Sequence, residues 1–488
     1  MSDAATDLVI HDSFSRTKRP FVPITPGHVG IYVCGPTVYS DTHLGHAKSY
    51  VSFDVVVRWL RFTGLRVRHV ENITDVGHLV DNSDDGEDKL IRTARLSEVH
   101  PLELAEKYAR LFFSDMDALG VVRPDISPRA TGHILEQQAL IRELLARGHA
   151  YEVNGSVYYS VASFPEYGRL SGRDTEEGEV GHRVAVRGEK RDPRDFALWK
   201  RAEGGHILRW ESPWGSGFPG WHIECSAMSC RYLGESFDIH GGGLDNQFPH
   251  HECEIAQSRG AGHGFANTWM HNNLVTVEGR KMSKSLGNFT SITQALEKNE
   301  ADLVRLWVLS THYRSQVDYS VQGLDALKGA LERLRAALRS VSEAVTAAAT
   351  PAATTDAAFL AEVATAEAAF TAAMNDDFNT PLALGALFDL ARVLNTGVAR
   401  GGLSRAALET GRARFLALGG EVLGVLDAAS AAPAGGDAAR YVDLLIETRQ
   451  RLKAAKAFDL ADWLRKEIAA RGVVLEDTAS GPRWRFNA

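Results

Sequence analysis

The pattern of apolar and polar positions changes character several times along the 488-residue chain. Residues 30–33 form a short continuous apolar run, as a buried strand does. Residues 35–42 form a polar loop, and 45–62 carries Val51, Val55 and Leu60 on the apolar face of a helix. Residues 66–73 return to a strand-like run. Strand, helix, strand opens a doubly wound parallel sheet, whose ligands bind beyond the carboxyl ends of the strands, where the loop 37–46 lies. From 124 to 209 the pattern gives a helix (133–146), short strands such as 156–160, and a charged, Gly-rich run through Arg194. This reads as an insertion between two halves of the sheet. After Gly220 the buried pattern resumes, with a helix over 224–233, a strand over 236–240 and a turn at 241–243.

Beyond Ala301 the spacing of Leu303, Leu306 and Trp307, and later of Leu382, Leu387, Leu390 and Leu394, is helical. Two Ala-rich, weakly patterned stretches, 346–355 and 428–438, interrupt it as linkers. The final unit predicts helices over 441–456 and 460–471, a strand at 473–477, a Ser480-Gly481 turn and a strand at 483–486, with no internal repeat anywhere. The expected organisation is an α/β sheet domain in two halves (1–123 and 210–300) around an inserted connective domain (124–209), then a helical bundle (301–430) and a small terminal domain (439–488).

Composition narrows the class. At 44% hydrophobic and 24% charged the chain is an ordinary globular one, long enough for two to four domains. No uninterrupted apolar stretch of about 18 residues occurs, and residues 1–18 lack the basic-then-apolar order of a secretion leader, so the expectation is a cytoplasmic protein with no membrane partner. The four cysteines, Cys34, Cys225, Cys230 and Cys253, are too few for a disulfide framework and sit beside histidines and acids, which points to metal or thiol chemistry. A net charge of −8 argues against general polyanion binding. The last 41 positions are nonetheless locally cationic, with nine Lys and Arg against five acids.

Three constellations carry chemistry. His43-Leu44-Gly45-His46 stands at a predicted helix start, where free N–H groups and the dipole attract phosphate; two imidazoles can donate to phosphate oxygens, and Gly45 lets a base approach. The same histidines could simply cap a helix. Lys281-Met282-Ser283-Lys284-Ser285 puts two lysines and two hydroxyls on a polar loop, apt for a leaving pyrophosphate but equally for a solvated surface. Cys34 at a strand end, Cys225, and the helix start at His250 offer soft ligands for zinc. His250 shares a helical face with both Cys253 (i+3) and Glu254 (i+4), so periodicity leaves the fourth ligand open, and softness alone favours Cys253. Cys230, five residues past Cys225, is expected in the core. The acids within 76–88 lack the alternating oxygens of a calcium loop and read as a solvated surface.

The histidine and lysine elements, in this order around a split sheet, resemble the signature pair of the class I aminoacyl-tRNA synthetases, with Leu44 where the family usually has isoleucine. The resemblance narrows to the cysteine-specific synthetases through Cys34-Gly-Pro-Thr-Val-Tyr, Gly220-Trp-His-Ile-Glu-Cys-Ser-Ala-Met228, Gly241-Gly-Gly-Leu-Asp245, Phe248-Pro-His-His-Glu252 and Met374-Asn-Asp-Asp-Phe-Asn-Thr380. It implies a Rossmann-type catalytic domain, a bundle, and a terminal anticodon-binding domain. The implied substrates are ATP with Mg²⁺, L-cysteine and cysteine tRNA, and the implied metal is one zinc per chain on Cys34, Cys225, His250 and Glu254.

By the same resemblance His43 and His46 meet the triphosphate, beside Thr37 and Gly45. Lys281 and Lys284 meet the pyrophosphate, and Gly241, Gly243 and Asp245 the ribose and adenine. Thr37, Trp221, His222 and Glu224 hold the substrate amine and carboxylate. Zinc explains how cysteine is told from serine, since a shape-reading pocket separates such pairs by only about 10²-fold. An insertion of about 85 residues is short for an editing domain. Arg449, Lys453, Arg465, Lys466, Arg483 and Arg485 would grip the anticodon, with Trp484 stacking on a base and Trp463 in the core. A monomer is expected. The related ligase that joins cysteine to an amino sugar shares the zinc and nucleotide motifs without an anticodon domain, so the basic terminus favours the synthetase.

Overall fold

The computed structural model describes residues 7–77, 88–173, 189–203, 206–282, 288–348, 355–427, 436–478 and 481–486. Strand His28–Val33 buries Val29, Ile31, Tyr32 and Val33 because both sheet faces are covered. It pairs in parallel with Arg66–Glu71 on one side and with Ser236–Gly243 on the other, and Phe265–Asn272 lies beyond the latter. The chain therefore reverses its winding between His28–Val33 and Ser236–Gly243, and a doubly wound sheet opens its ligand crevice at that point. Helix Leu44–Phe62 makes the first crossover, packing Val51, Val55, Val56 and Leu60 fully into the core.

The expected turn at 241–243 is not present. The strand runs on through Gly243, paired Met270↔Gly241, His271↔Gly242 and Asn272↔Gly243. The glycines serve close packing instead: a Cβ at Gly241 would lie 2.4 Å from the Phe53 ring, and one at Gly242 would lie 2.8 Å from His251 Cε1.

The insertion forms an antiparallel sheet in the order Ala150–Val153, Ser156–Tyr159, Phe196–Arg201, Gly217–Pro219, its last strand lying past residue 209. Val157, Tyr159, Phe196, Leu198 and Trp199 pack against Ile223 and Ala227 of helix Trp221–Leu233 and against Cys253 and Ala256 of helix Glu252–Gly260. Each such side chain contributes about 1.5–3 kcal/mol by burial, so the inserted sheet holds in place two helices that pack on the parallel sheet.

By contacts the chain divides into Met1–Leu331 with Ala366–Leu387 and Glu421–Val425, and Glu332–Thr365 with Phe388–Gly420 and Leu426–Ala488. The first unit contains the parallel sheet and the inserted antiparallel one. In the second, helices Gly436–Ala454 and Phe458–Ala470 and the hairpin Val473–Thr478/Gly481–Phe486 close around Val442, Ile446, Leu464, Ile468, Val473 and Leu475. The linker stretches fall largely, and the acidic stretch almost wholly, outside the described residues; Asp88 caps helix Lys89–Leu96. Helices Asp356–Asn375 and Thr380–Arg400 are long and apolar enough to cross a membrane by length and composition, but 33% and 50% of their most apolar windows are buried inside the protein.

Candidate active site

Cys34 follows strand His28–Val33 directly, and the next position admits only glycine, since a Cβ on Gly35 would lie 1.5 Å from the Asn72 carbonyl oxygen. Gly35 N–H donates to Asn72 Oδ1 (2.9 Å) and the Tyr50 hydroxyl donates to the Cys34 carbonyl (3.3 Å), which fixes the thiol's direction. Across the switch point, helix Trp221–Leu233 supplies Cys225 and helix Glu252–Gly260 supplies Glu254, with His250 just before it. The two sulfurs are 4.0 Å apart, Cys34 Sγ is 3.7 Å from Glu254 Oε1, and His250 Nε2 is 3.2 Å from the same oxygen. All four residues are buried, with their donor atoms within 4.8 Å of one another.

That spacing fits a metal ion. Tetrahedral zinc with bonds of about 2.0–2.3 Å needs ligand atoms about 3.3–3.8 Å apart. Burial, with Cys225 and Glu254 beside it, pushes the Cys34 thiol well above its ordinary range, so these anionic donors disfavour one another until a cation joins them. Outer partners orient the set: Glu254 Oε2 accepts from His240 Nε2 (2.9 Å), and His250 Nδ1 meets His222 Nδ1 (3.0 Å).

A second group, Cys34, His240, His251 and Glu254, shares two of these residues. His251 Nε2 lies 3.2 Å from Cys34 Sγ, and its Nδ1 lies 2.8 Å from His271 Nε2. Burial and the neighbouring His240 drive His251 well below the usual imidazole range and His271 to about 3, so both rings are neutral. Cys253 faces the other way, into the core beneath the insertion, with Sγ 3.3 Å from the Tyr167 hydroxyl.

The histidine motif lies at the start of helix Leu44–Phe62 and forms a reciprocal cap. His43 Nδ1 accepts from Gly45 N–H (3.0 Å), and His46 Nδ1 accepts from His43 N–H (3.1 Å). Because both rings accept at Nδ1, the neutral imidazoles carry their protons on Nε2. Capping and phosphate donation are therefore compatible. A Cβ on Gly45 would lie 2.7 Å from His43 Cε1, so the fold of that ring over the backbone requires glycine.

The lysine loop is attached to this helix start from both sides. Met282 Cε comes within 3.6 Å of the Cβ position of Gly45, Leu44 N–H donates to the Thr290 carbonyl (3.2 Å), and Ile292 N–H donates to Thr42 (3.2 Å). The backbone of Lys281 is in strand Arg280–Lys281; its side chain, and the whole of Lys284, lie outside the described residues. Asp245 sits just past the end of strand Ser236–Gly243, its Oδ1 2.5 Å from where a Cβ on Gly243 would lie.

Comparison with known proteins gives a consistent result. Residues 20–329 match the family of tRNA synthetases class I (C) catalytic domains, and residues 369–427 match the DALR domain. A cysteine–tRNA ligase from Deinococcus radiodurans is 52% identical over 98% of this chain and 97% of its own, and one from Thermus thermophilus is 51% identical over 98% and 99%. The chain belongs to the cysteine–tRNA ligase family. Among solved structures, Mycobacterium tuberculosis methionyl-tRNA synthetase in complex with methionyl-adenylate superposes with a TM-score of 0.59 at 17% identity, covering 86% of this chain and 94% of that one, a likeness of fold.

The residues assigned to the substrate from sequence have these surroundings. Trp221 stacks on His250 with ring centroids 4.4 Å apart, and Thr37 bridges to Thr74 at the neighbouring strand end. Glu224 is fully buried, and among the described residues neither carboxylate oxygen has a hydrogen-bond partner. Burial and the adjacent Cys225 push its carboxyl well above the usual range, and the nearby Thr74 hydroxyl, outside hydrogen-bond geometry, eases this only slightly.

Sequence reasoning missed Asn72, which also lies 3.7 Å from Cys225 Sγ, and it missed the outer partners His240 and His251. The end of strand Arg66–Glu71 next to that of Cys34 is the signal that could have found Asn72. Two tryptophans differ from expectation in their burial. Trp463, expected in the core, is 58% exposed, while Trp484 packs on the terminal domain's core and donates to Asp443 Oδ1 (2.7 Å). Cys230 is half-buried rather than in the core, 3.8 Å from His263 Nδ1.

Proposed function

We infer that this chain activates L-cysteine with ATP and transfers it to cysteine tRNA, and that a zinc ion in the buried Cys34, Cys225, His250, Glu254 cluster selects the substrate. The observation that carries this reading is the position of that donor set at the switch point of the sheet, beside the two-histidine helix cap. Bound there, zinc supplies strong affinity for a thiolate and little for a neutral alcohol, which distinguishes cysteine from serine. Thr37, Trp221, His222 and Glu224 flank the amine and carboxylate of the substrate. Glu224, buried and unpartnered, gains most from a cationic ammonium.

The cysteine carboxylate attacks the α-phosphorus of ATP, which enters with Mg²⁺, and pyrophosphate departs. His43 and His46 donate from Nε2 to phosphate oxygens at the helix N-terminus, and Gly45 leaves room for the nucleotide. The backbone at Gly241 and Gly243 lines the nucleotide at the strand end, with Phe53 filling the side-chain space of Gly241; Asp245 accepts from a ribose hydroxyl, and Lys281 and Lys284 neutralise the leaving pyrophosphate. The ribose of the terminal adenosine of the tRNA then attacks the adenylate. Catalysis is positioning and charge stabilisation, with no covalent enzyme intermediate.

The sheet halves, up to residue 123 and from 220 to 300, carry this chemistry, with 124–219 as connective insertion, extended past 209 by strand Gly217–Pro219, 301–430 as the helical region and 439–488 as the anticodon-binding domain. Phe458 and Trp463, 59% and 58% exposed on one helix, are better placed to stack on anticodon bases than Trp484. The reading takes the protein as a cytoplasmic monomer. It is tested by incubation with ATP, cysteine and either cysteine tRNA or an amino sugar. Charging of tRNA without amide formation on the sugar is expected, and the reverse overturns it.

A further inference from the structure

The path of the chain into the lysine loop is set by a short three-stranded sheet. Strand Val275–Val277 turns back through Glu278 and Gly279, both left-handed (φ 50° and 72°), into Arg280–Lys281, with Thr276 paired to Lys281. A two-residue hairpin of this kind matches the twist of its strands but favours Asn or Gly at its first corner, and a lone two-stranded ribbon is marginal in water. Glu278 needs an outside restraint. The third strand, Val317–Tyr319, provides it, running parallel to the first with Thr276 opposite Asp318. Asp318 Oδ1 accepts from Thr276 Oγ1 (2.7 Å) and from Gly279 N–H (2.7 Å), and Glu278 N–H donates to the Tyr319 carbonyl (3.2 Å). One carboxylate oxygen thus grips both the strand and the turn from which Lys281 emerges.

The third strand is in turn fixed to the core. Trp307 Nε1 donates to the Asp318 carbonyl (3.0 Å). A few residues earlier, Tyr313 and Arg314 each donate to the buried Asp377 carboxylate at 2.7 Å, which also receives His11 N–H (2.9 Å). Asn273 bonds to the carbonyls of both Tyr313 (2.8 Å) and Arg314 (2.9 Å). The strap is rigid where it meets Asp377, and it reaches the lysine hairpin through an exposed side chain whose loss opens no core.

We propose that Asp318 is a positioning residue for adenylate formation, holding the hairpin that carries Lys281 in one backbone path. The proposal rests on the assignment of Lys281 to the pyrophosphate. A lysine on a flexible stem reaches many points, so the direction of its backbone decides how often it occupies the productive one, and a displacement of about 1 Å away from the reacting atoms can cost about 10²-fold in rate.

The test is cysteine-dependent ATP–pyrophosphate exchange with the full-length chain. Asp318→Ala is expected to lower kcat by about tenfold or more, with zinc content, the KM for cysteine and the thermal midpoint unchanged. Asp318→Asn, which keeps an acceptor at Oδ1, is expected to remain within about twofold of wild type. In a Lys281→Ala background Asp318→Ala should add no further loss, because both act on one interaction. If Lys281→Ala alone leaves exchange unchanged, the pyrophosphate assignment fails. If Lys281→Ala slows exchange but Asp318→Ala does not, or its loss multiplies with that of Lys281→Ala, or its loss follows a fall in thermal midpoint, the positioning role of Asp318 is overturned.

Discussion

Removing one candidate ligand at a time, and counting sulfur neighbours of the bound metal, decides which side chains hold it. The competing sets differ in sulfur: Cys34, Cys225, His250 and Glu254 give two, whereas Cys34, His240, His251 and Glu254 give one. A first shell that used Cys253 would give three. The geometry disfavours three, because Cys253 Sγ lies against the Tyr167 hydroxyl; both remaining sets bring their donors within 4.8 Å, and the second thiolate of the first makes it the better match to zinc.

X-ray absorption should therefore report two sulfurs in the free protein and three once cysteine is bound. Glu254→Ala removes a ligand and should weaken zinc by more than about 100-fold, or about 3 kcal/mol. His240→Ala removes only the outer partner that donates to Glu254 Oε2 at 2.9 Å, and should cost about 10–100-fold. Cys253→Ser should retain one zinc per chain. Chelator competition measures each affinity without recourse to catalysis. One sulfur in the free protein, with His240→Ala as damaging as Glu254→Ala and His250→Ala harmless, would establish the alternative set; three, falling to two in Cys253→Ser, would remove Glu254 from its place.

Two further expectations concern the histidine helix and the lysine loop. Lys284→Ala should depress cysteine-dependent pyrophosphate exchange by about two orders of magnitude, or about 3 kcal/mol, and unchanged exchange in the folded variant would exclude Lys284 from the site. Lys48 is fully buried in helix Leu44–Phe62 with its ammonium on the His312 carbonyl, and burial lowers its pKa from 10.5 to about 7. Between those values the unfolded chain holds the extra proton, so stability rises with pH across that window and the full penalty is present below pH 7. Lys48→Met should stabilise the protein at pH 6 by at most about 5 kcal/mol and flatten the dependence up to pH 10 in denaturant titrations. A variant destabilised equally at every pH would refute the assignment.

Much of this was legible because the decisive signals are local. An apolar run followed by Cys34, a helix start with His43 and His46, and a second cysteine in an apolar helical pattern each reveal themselves within a few residues. What escaped depends on tertiary packing. Which of residues 253 and 254 joins the candidate metal cluster depends on where the inserted sheet lands on helix Glu252–Gly260, since it takes Cys253 into the same core as Tyr159 and Trp199. No periodicity contains that. Gly241–Gly243 resembles a turn in sequence, but Phe53 and His251, distant along the chain, are what require glycine there. The burial of Trp463 and Trp484 departs from expectation for the same reason. The helix periodicity allows either face, and the hairpin Val473–Thr478/Gly481–Phe486 covers the one with Leu464 and Ile468.

The packing of the insertion also bears on how cysteine is selected. Its apolar face is occupied by Ile223, Ala227, Cys253 and Ala256, residues of the same two helices that carry Cys225 and Glu254. Its inner edge is tied down by Glu252, whose carboxylate accepts from Ser171 N–H (2.9 Å) within two residues of both His250 and Glu254. The described part of the insertion thus braces the helices that carry the candidate metal ligands. A brace suits an enzyme that must reject serine in one step, because thiolate affinity falls off steeply when ligand geometry loosens, whereas a shape-reading pocket would need a second site to reach the same discrimination. Serine should therefore be excluded at activation, and loosening the brace should admit it before cysteine activation fails.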